Sequence, residues 1–501
     1  MRVRMKLALA GCFLWLGCTP GTNVGTAGQA LGQSNGNGAS HVLLLSVDGM
    51  HQFDLDRYVA THPSSTFASL VARGTHYTNA TSSRPSDSFP GTLAMTTGGS
   101  PKATGYYYDV TWDDNLSPPG SDCSTRGTVV PFDGQINVDD TQLNTSIDPN
   151  KLPRDPDHGC SLVYPHNHLK VNTIFEVAKA GGYRTAVTDK HPAYELLNGP
   201  SGTGVDDLYT PENDSDGLKK DPVKMAAYDA TKAAVVKNWI DGYDQTRTNH
   251  VGVPGIMMMN YQAVNIGEKV GGYADATGTP SAQLQAALDF VDGSIGGLLA
   301  ELDAQGLTNS TEVIVTAKHG QTPVDLSQRR AIDPALIDAT VNSVQAGLLA
   351  QETPDTISLI WLHDHSRTAD VVAALQANPN LGIGTIYSGD ALNAAFGGTL
   401  DLSPNRRADI IIEPQQGVIY TTSSISSKKC EHGSFNEEST HVPLMVVGPN
   451  VAAGTVTTPV DLRQVAPTII KALHLNPHDL DAVRLEHTHR LPVVEDDWSN
   501  D

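Results

Sequence analysis

The chain has 501 residues, 39% of them hydrophobic, and its 33 Lys and Arg against 55 Asp and Glu leave a formal net charge of −22. That length fits one large α/β domain with insertions or two ordinary domains, and it supplies a sizeable core. The acidic balance excludes a nucleic-acid polymer as partner, because such binders carry a basic stripe, but a local cluster of cations could still accept a small anion.

At the amino end, Arg2, Arg4 and Lys6 precede the apolar run Leu7–Leu16, which ends at Gly17-Cys18. The pattern predicts an export signal over residues 1–18, too short to span a bilayer as a stable anchor. Cys18 after a small Gly resembles a bacterial lipoprotein cleavage site, so a lipid anchor at Cys18 is open beside ordinary secretion. The expected location is exported: periplasmic, outer-membrane lipoprotein or secreted. Residues 19–40 are rich in Gly, Ser, Asn and Thr and predict a flexible linker. Residues 41–501 are then expected to form a single domain.

Val42–Val47 is continuously apolar, as suits a strand buried on both faces of a parallel sheet. Further strands are predicted at Arg184–Thr188, Gly255–Met259, Glu312–Ala317, Ile357–Trp361, Asp409–Ile412 and Pro443–Val447. Leu284, Leu288, Val291, Ile295, Leu298 and Leu302 recur at helical steps between Ser281 and Gly306, and a second helix is predicted over Met225–Ile240. The alternation predicts an α/β fold, doubly wound, with a mostly parallel central sheet and helices on both faces. From 106 to 169 no period holds, and a loop-rich insertion is expected. Within it Cys123 and Cys160 could pair in an oxidising compartment, or remain, like Cys430, unpaired thiols.

In open parallel sheets ligands bind at the carboxyl ends of the strands. Three apolar runs deliver polar residues there: Asp48-Gly49, then Asn260, then Lys318-His319-Gly320. Any one of them alone reads as a turn or a cap. Ser88, in Asp87-Ser88-Phe89-Pro90, sits just ahead of a predicted helix, where the helix field stabilises an alkoxide or a phosphate; alone it reads as an N-cap. Lys190, in Asp189-Lys190-His191-Pro192, and His441, before the last predicted strand, are weaker substrate-binding candidates with Asn260. A turn fixed by Pro192 and a capped core histidine are the plainer readings of the first two.

Asp48-Gly49, Ser88-Phe89-Pro90, Lys318-His319-Gly320 and His432-Gly433 followed by Gly448-Pro449 occur in that order over about 42–473. This ordered set resembles the type I phosphodiesterase and nucleotide pyrophosphatase branch of the alkaline phosphatase superfamily. The resemblance implies a hydrolase of small phosphate esters, phosphodiester or nucleotide in type, in which Ser88 forms a phosphoryl-enzyme intermediate that water then cleaves. It implies a divalent metal cofactor, zinc in type, as one or two ions, with Asp48, Ser88 and His319 on one ion and His432 on the other.

The chain also departs from the family. Members carry Asp before the His-Gly, where this chain has Lys318. They carry an Asp and a His four residues apart after the middle strand, where the stretch Asn260 to Lys269 offers only Asn265 and Glu268. Three roles are open to Lys318: a catalytic charge in place of a metal, a partner for Asp48 that leaves no metal site, or a solvated side chain. Loss of the middle-strand pair also keeps open a degenerate member that binds at a surface without catalysis.

Overall fold

The computed structural model describes residues 39–422 and 428–493. The export signal with Cys18, and nearly all of the linker, lie outside the described residues. The central sheet has eight strands in the order Gly454–Val456, Thr75–Tyr77, Leu444–Val447, Thr311–Thr316, His41–Val47, Ile256–Tyr261, Thr185–Thr188, Asp207–Tyr209. All run parallel except Leu444–Val447, which is antiparallel to both neighbours. Val42–Val47 is buried throughout and pairs on both edges, in register with Ile256–Tyr261 and with Glu312–Thr316. A run with no exposed face has no reason to alternate, which is why it is continuously apolar.

The helices Pro222–Ile240, Ala263–Val270 and Ala282–Ala304 pack on one another, and Ser88–Thr97, Ile174–Ala180 and Val465–Ala472 form a second packed group. Members of both groups touch Thr185–Thr188, whose four residues are buried. The helix predicted from Leu284 to Leu302 buries all six periodic positions, and Ser281 caps it by accepting from the Leu284 N–H at 3.3 Å.

The runs Ile357–Trp361 and Asp409–Ile412 form strands, as expected, but outside the central sheet. They belong to a separate antiparallel sheet ordered Leu349–Pro354, Ser358–Leu362, Ile410–Pro414, Ile383–Ser388. Ile360, Leu362, Ile410 and Ile412 face one apolar cluster, while Ile357, Leu359, Trp361 and Ile411 face another that holds Tyr107, Trp112 and Phe435. Both faces are covered, so an antiparallel strand shows the same unbroken apolar run as a parallel one.

The 106–169 insertion contains two short hairpins, Val110–Asp113 with Thr128–Pro131 and Arg154–Asp155 with Ser161–Leu162, joined by single turns. Cys123 and Cys160 form a disulfide with Cα atoms 5.8 Å apart, and Cys430 is a buried free thiol. Closing a loop of 37 residues removes unfolded-state entropy; the chain-entropy model values that at about 4 kcal/mol. Cys123→Ser should therefore lower the melting temperature of the non-reduced protein, and reduction of the wild type should lower it equally. A variant that melts with the oxidised wild type would show that the bridge constrains nothing.

Candidate active site

Four neighbouring parallel strands end on one rim. His41–Val47 hands over to Asp48, Ile256–Tyr261 contains Asn260, Thr311–Thr316 leads to Lys318 and His319, and Thr185–Thr188 leads to Asp189 and Lys190. Ser88 arrives from the side. Asp87 caps the helix Ser88–Thr97 by accepting from the Phe89 N–H at 3.3 Å, so Ser88 is the first helical residue and not the cap. Gly91 rests so closely on the Lys318 carbonyl that a Cβ there has no room, which seats the start of this helix against Lys318-His319. A backbone bridge between Ser86 and Gly433 brings His432 beside it.

The four residues expected to converge do so. Ser88 Oγ lies 3.2 Å from His319 Nε2, His319 Nε2 lies 3.6 Å from Asp48 Oδ1, and the His319 and His432 rings are 4.3 Å apart between centroids. His319 Nδ1 is 3.1 Å from the Gly320 carbonyl, so a hydrogen on Nδ1 leaves the Nε2 lone pair facing the Ser88 hydroxyl.

The lysine that reaches Ser88 is Lys190, whose Nζ donates to Oγ at 3.1 Å and lies 3.5 Å from Asp48 Oδ2. Lys318 sits behind. Fully buried, it places Nζ 3.4 Å from Asp48 Oδ2 and 3.5 Å from Asp189 Oδ1, and donates to the Tyr194 hydroxyl at 2.7 Å. Of its three roles, the geometry matches the partner of Asp48. Asn260 Nδ2 donates to Asp48 Oδ2 at 3.3 Å and Asp189 Oδ1 at 2.9 Å, and Gln262 Nε2 also donates to Asp48. Asn260 is thus a clamp on two carboxylates, not a wall of the cavity. His441 does not join the site: its Nε2 bonds the Thr78 carbonyl at 3.0 Å, in a strand pair with Ala80–Thr81. With its side chain 29% exposed, it is not the core histidine of the plainer reading either.

Burial alone would raise the pKa of Asp48, but the ammonium groups of Lys318 and Lys190 outweigh it and hold the carboxyl well below its usual range. Burial would lower Lys190, yet Asp48, Asp189 and Asp87 keep it above the ordinary lysine value. His319 is lowered to about 3 by burial, so its imidazole is neutral at neutral pH. Asp87 is raised to about 6 by burial. The turn that presents Lys190 is strained: His191 has φ 55°, a region costing side-chain-bearing residues about 1–3 kcal/mol. Its imidazole is pinned by Glu212 at 2.7 Å.

Ser88, Lys190, Asn265 and His432 line a cavity of ≈ 850 Å³. The insertion contributes Tyr108, Asp109, Asp133 and Gln135 to its wall, and the antiparallel sheet contributes Gln351 to Asp355. Sequence reasoning missed Asp87, Lys269, Asp355, Lys428 and Glu431. Lys269, the residue four after Asn265, binds Glu431 at 2.5 Å, and Lys428 binds the same carboxylate. The only signals were adjacency, Asp87 before Ser88 and Glu431 before His432, and the four-residue step from Asn265.

The donors suit the two implied cations unequally. Around Asp48 they do not fit: its carboxylate has two ammonium groups within 3.5 Å, which hold its charge and repel an ion. Around His432 they do: Asp355, Glu431 and His432 offer ligand atoms within 4.8 Å of one another, and Asp87 lies next to the ring.

The family described as type I phosphodiesterase / nucleotide pyrophosphatase matches residues 42–435. Murine ectonucleotide pyrophosphatase / phosphodiesterase 5 superposes with a TM-score of 0.60 at 15% identity, over 91% of this chain and 98% of that one, and an inactive form of it in complex with AMP superposes equally. Wild-type alkaline phosphatase PafA gives a TM-score of 0.60 at 14% identity, over 87% of this chain and 96% of that one. Among curated proteins none matches this chain. At such identities the structures speak for the fold, whereas the family match spans most of the sequence and both of the histidines that meet at Ser88. The chain therefore belongs to the type I phosphodiesterase / nucleotide pyrophosphatase family of phosphoric ester hydrolases, on the alkaline phosphatase-like fold.

Proposed function

We propose that this protein cleaves a small phosphodiester or nucleotide-type ester by transferring its phosphoryl group first to Ser88 and then to water. The observation that carries the reading is the setting of one hydroxyl. Ser88 Oγ stands at a helix amino terminus on the cavity floor, 3.1 Å from a lysine ammonium and 3.2 Å from a neutral imidazole nitrogen.

In the first step Oγ attacks phosphorus and its proton passes to His319 Nε2. The leaving oxygen departs with the electron pair of the broken P–O bond and receives, through water in the open cavity, the proton that His319 Nε2 accepted, which restores the neutral imidazole. Lys190 offsets the charge that gathers on Oγ and on the phosphoryl oxygens, and the helix terminus adds its dipole. In the second step water attacks phosphorus, a proton passes through His319, and Oγ recovers its hydrogen as the O–P bond breaks. Lys318 and Asn260 act at one remove, keeping the Asp48 carboxylate charged and aimed at Lys190 and His319.

The family is metal-dependent, and a divalent cation, zinc in this reading, bound on the His432 side would act as a Lewis acid toward a phosphoryl oxygen. The cavity volume suits a nucleotide-sized ligand, and AMP in the murine relative supports that class. The disulfide supports the exported location inferred from residues 1–18. No helix among the described residues is long and apolar enough to cross a membrane.

Acid quenching during turnover tests the intermediate. Peptide mapping should find a phosphoryl group on Ser88; turnover with the group on another residue, or on none, would refute the serine mechanism.

A further inference from the structure

Two carboxamides on the wall of the cavity that holds Ser88 have their polarity set from behind. Asn213 stands on irregular backbone between Asp207–Tyr209 and Ser215–Lys220, and Asn265 on the helix Ala263–Val270. With the ammonium groups of Lys190 and Lys318 beside it, Asp48 is a carboxylate and only accepts. The end of Gln262 that meets Asp48 is therefore its amino group, which leaves Gln262 Oε1 facing the two asparagines. That oxygen accepts from Asn213 Nδ2 and from Asn265 Nδ2, each at 3.3 Å. Asn213 Oδ1 and Asn265 Oδ1 are then buried with no hydrogen-bond partner among the described residues, on residues 1% and 4% exposed. Neither amide can reverse, because oxygen would then face oxygen. Buried acceptors are rarely left unpaired in this way.

Unpaired acceptors call for donors. The oxygens of a phosphoryl group are acceptors themselves and belong with Lys190, whereas a hydroxyl donates. Phe89, Tyr108 and Tyr194, the Phe and Tyr side chains of the cavity wall, are each at most 2% exposed, so none of them offers a ring face on which a base could stack. Recognition of the substrate's organic group then falls to polar side chains. We propose that Asn213 and Asn265 form a subsite for two hydroxyl groups on the organic part of the ester, a diol of the kind that ribose or glycerol carries.

The subsite rests on the phosphate-ester reading of this cavity for what the diol is attached to, not for its acceptors. It gives Asn265 a task in place of the metal ligand implied at that position, since zinc sites are built from thiolate, imidazole and carboxylate groups and a carboxamide oxygen suits a hydroxyl better. A small shift of the irregular segment around Asn213 brings its oxygen to a bound hydroxyl. The same contacts reach the chemistry. Gln262 joins both asparagines to Asp48, and Asp48 faces Lys190 and His319. A diol that holds the two amides in place thereby steadies Asp48, so its absence from the substrate should lower kcat as well as raise KM.

The test is ligand binding, read separately from turnover, with Ser88→Ala so that nothing is consumed. Calorimetry compares adenosine 5′-monophosphate with its 2′,3′-dideoxy analogue, and glycerol 3-phosphate with propyl phosphate. In at least one pair the diol should bind about fivefold or more tightly than its partner, the effect of leaving a buried acceptor unpaired; the pair that shows the gap identifies ribose or glycerol as the source of the diol. Adding Asn213→Leu or Asn265→Leu should shrink that gap to below about twofold, while the ligand without hydroxyls changes less than about threefold. The comparison of ligands needs neither of these substitutions, so it decides even if both variants fail to fold. No gap in either pair, no binding of any of the four ligands, or a gap that both variants keep would overturn the proposal. A gap as expected in a protein whose wild type hydrolyses no phosphate ester would keep the subsite and remove the hydrolase reading; hydrolysis by the wild type with no gap would do the reverse.

Discussion

Ser88→Ala is expected to abolish turnover of a chromogenic bis-aryl phosphate, by about 10⁴-fold or more in kcat, since removing the nucleophile of a covalent mechanism costs on that order. The variant should fold and melt close to the wild type. Asp87 still caps the helix, and the hydroxyl removed is bonded only within the site, to Lys190 and His319. Substrate binding should survive, because Lys190 and the cavity walls remain, so KM should change far less than kcat. Ser88→Cys is a useful companion: it keeps a nucleophile of similar shape, and partial activity there would separate loss of chemistry from loss of structure. Equal turnover by the wild type and Ser88→Ala would end the covalent reading. No turnover by the wild type with any metal or ester would favour a protein that binds without catalysis.

How much of this was legible beforehand depended on the kind of signal. The buried central strands announced themselves because Val42–Val47 and its neighbours have no exposed face to break the apolar run. The same signal misplaced Ile357–Trp361 and Asp409–Ile412, since a strand sandwiched between two clusters looks alike in either sheet. Asp48, Ser88, His319 and His432 were found through their order along the chain, not through the chemistry of any one. Asp87 and Asp355 were missed for a physical reason: an Asp before a helix or in a Pro-Asp turn is usually a cap, and Asp87 is in fact a cap with one oxygen to spare. Lys190 was underrated beside Lys318, because sequence order shows which strand end a lysine leaves from and not whether its four-carbon arm points forward to the cavity or back into the sheet.

Lys318 is where that difference has its largest consequence for stability. Its ammonium group is wholly buried between Asp48 and Asp189, and burial lowers its pKa even so. Lys318→Met keeps most of the volume but leaves two buried carboxylates with Lys190 as their one close ammonium partner, beside the neutral donors Asn260 and Gln262. Breaking a buried pair in this way costs about 3–5 kcal/mol, most of it the penalty of an uncompensated charge. The loss should depend on pH with a definite sign. The folded Asp48 carboxyl titrates below its unfolded value because Lys318 and Lys190 face it. Its contribution is therefore present above the unfolded pKa, about 3.9, and fades as pH falls toward the folded value. In Lys318→Met that depression is weakened, so the gap in stability between variant and wild type should be full at neutral pH and narrow below about pH 4. Denaturant unfolding of both proteins across that range checks it. A gap that is constant with pH would mean that Lys318 matters for packing alone, and a variant as stable as the wild type at neutral pH would show that Asp48 and Asp189 do not depend on it.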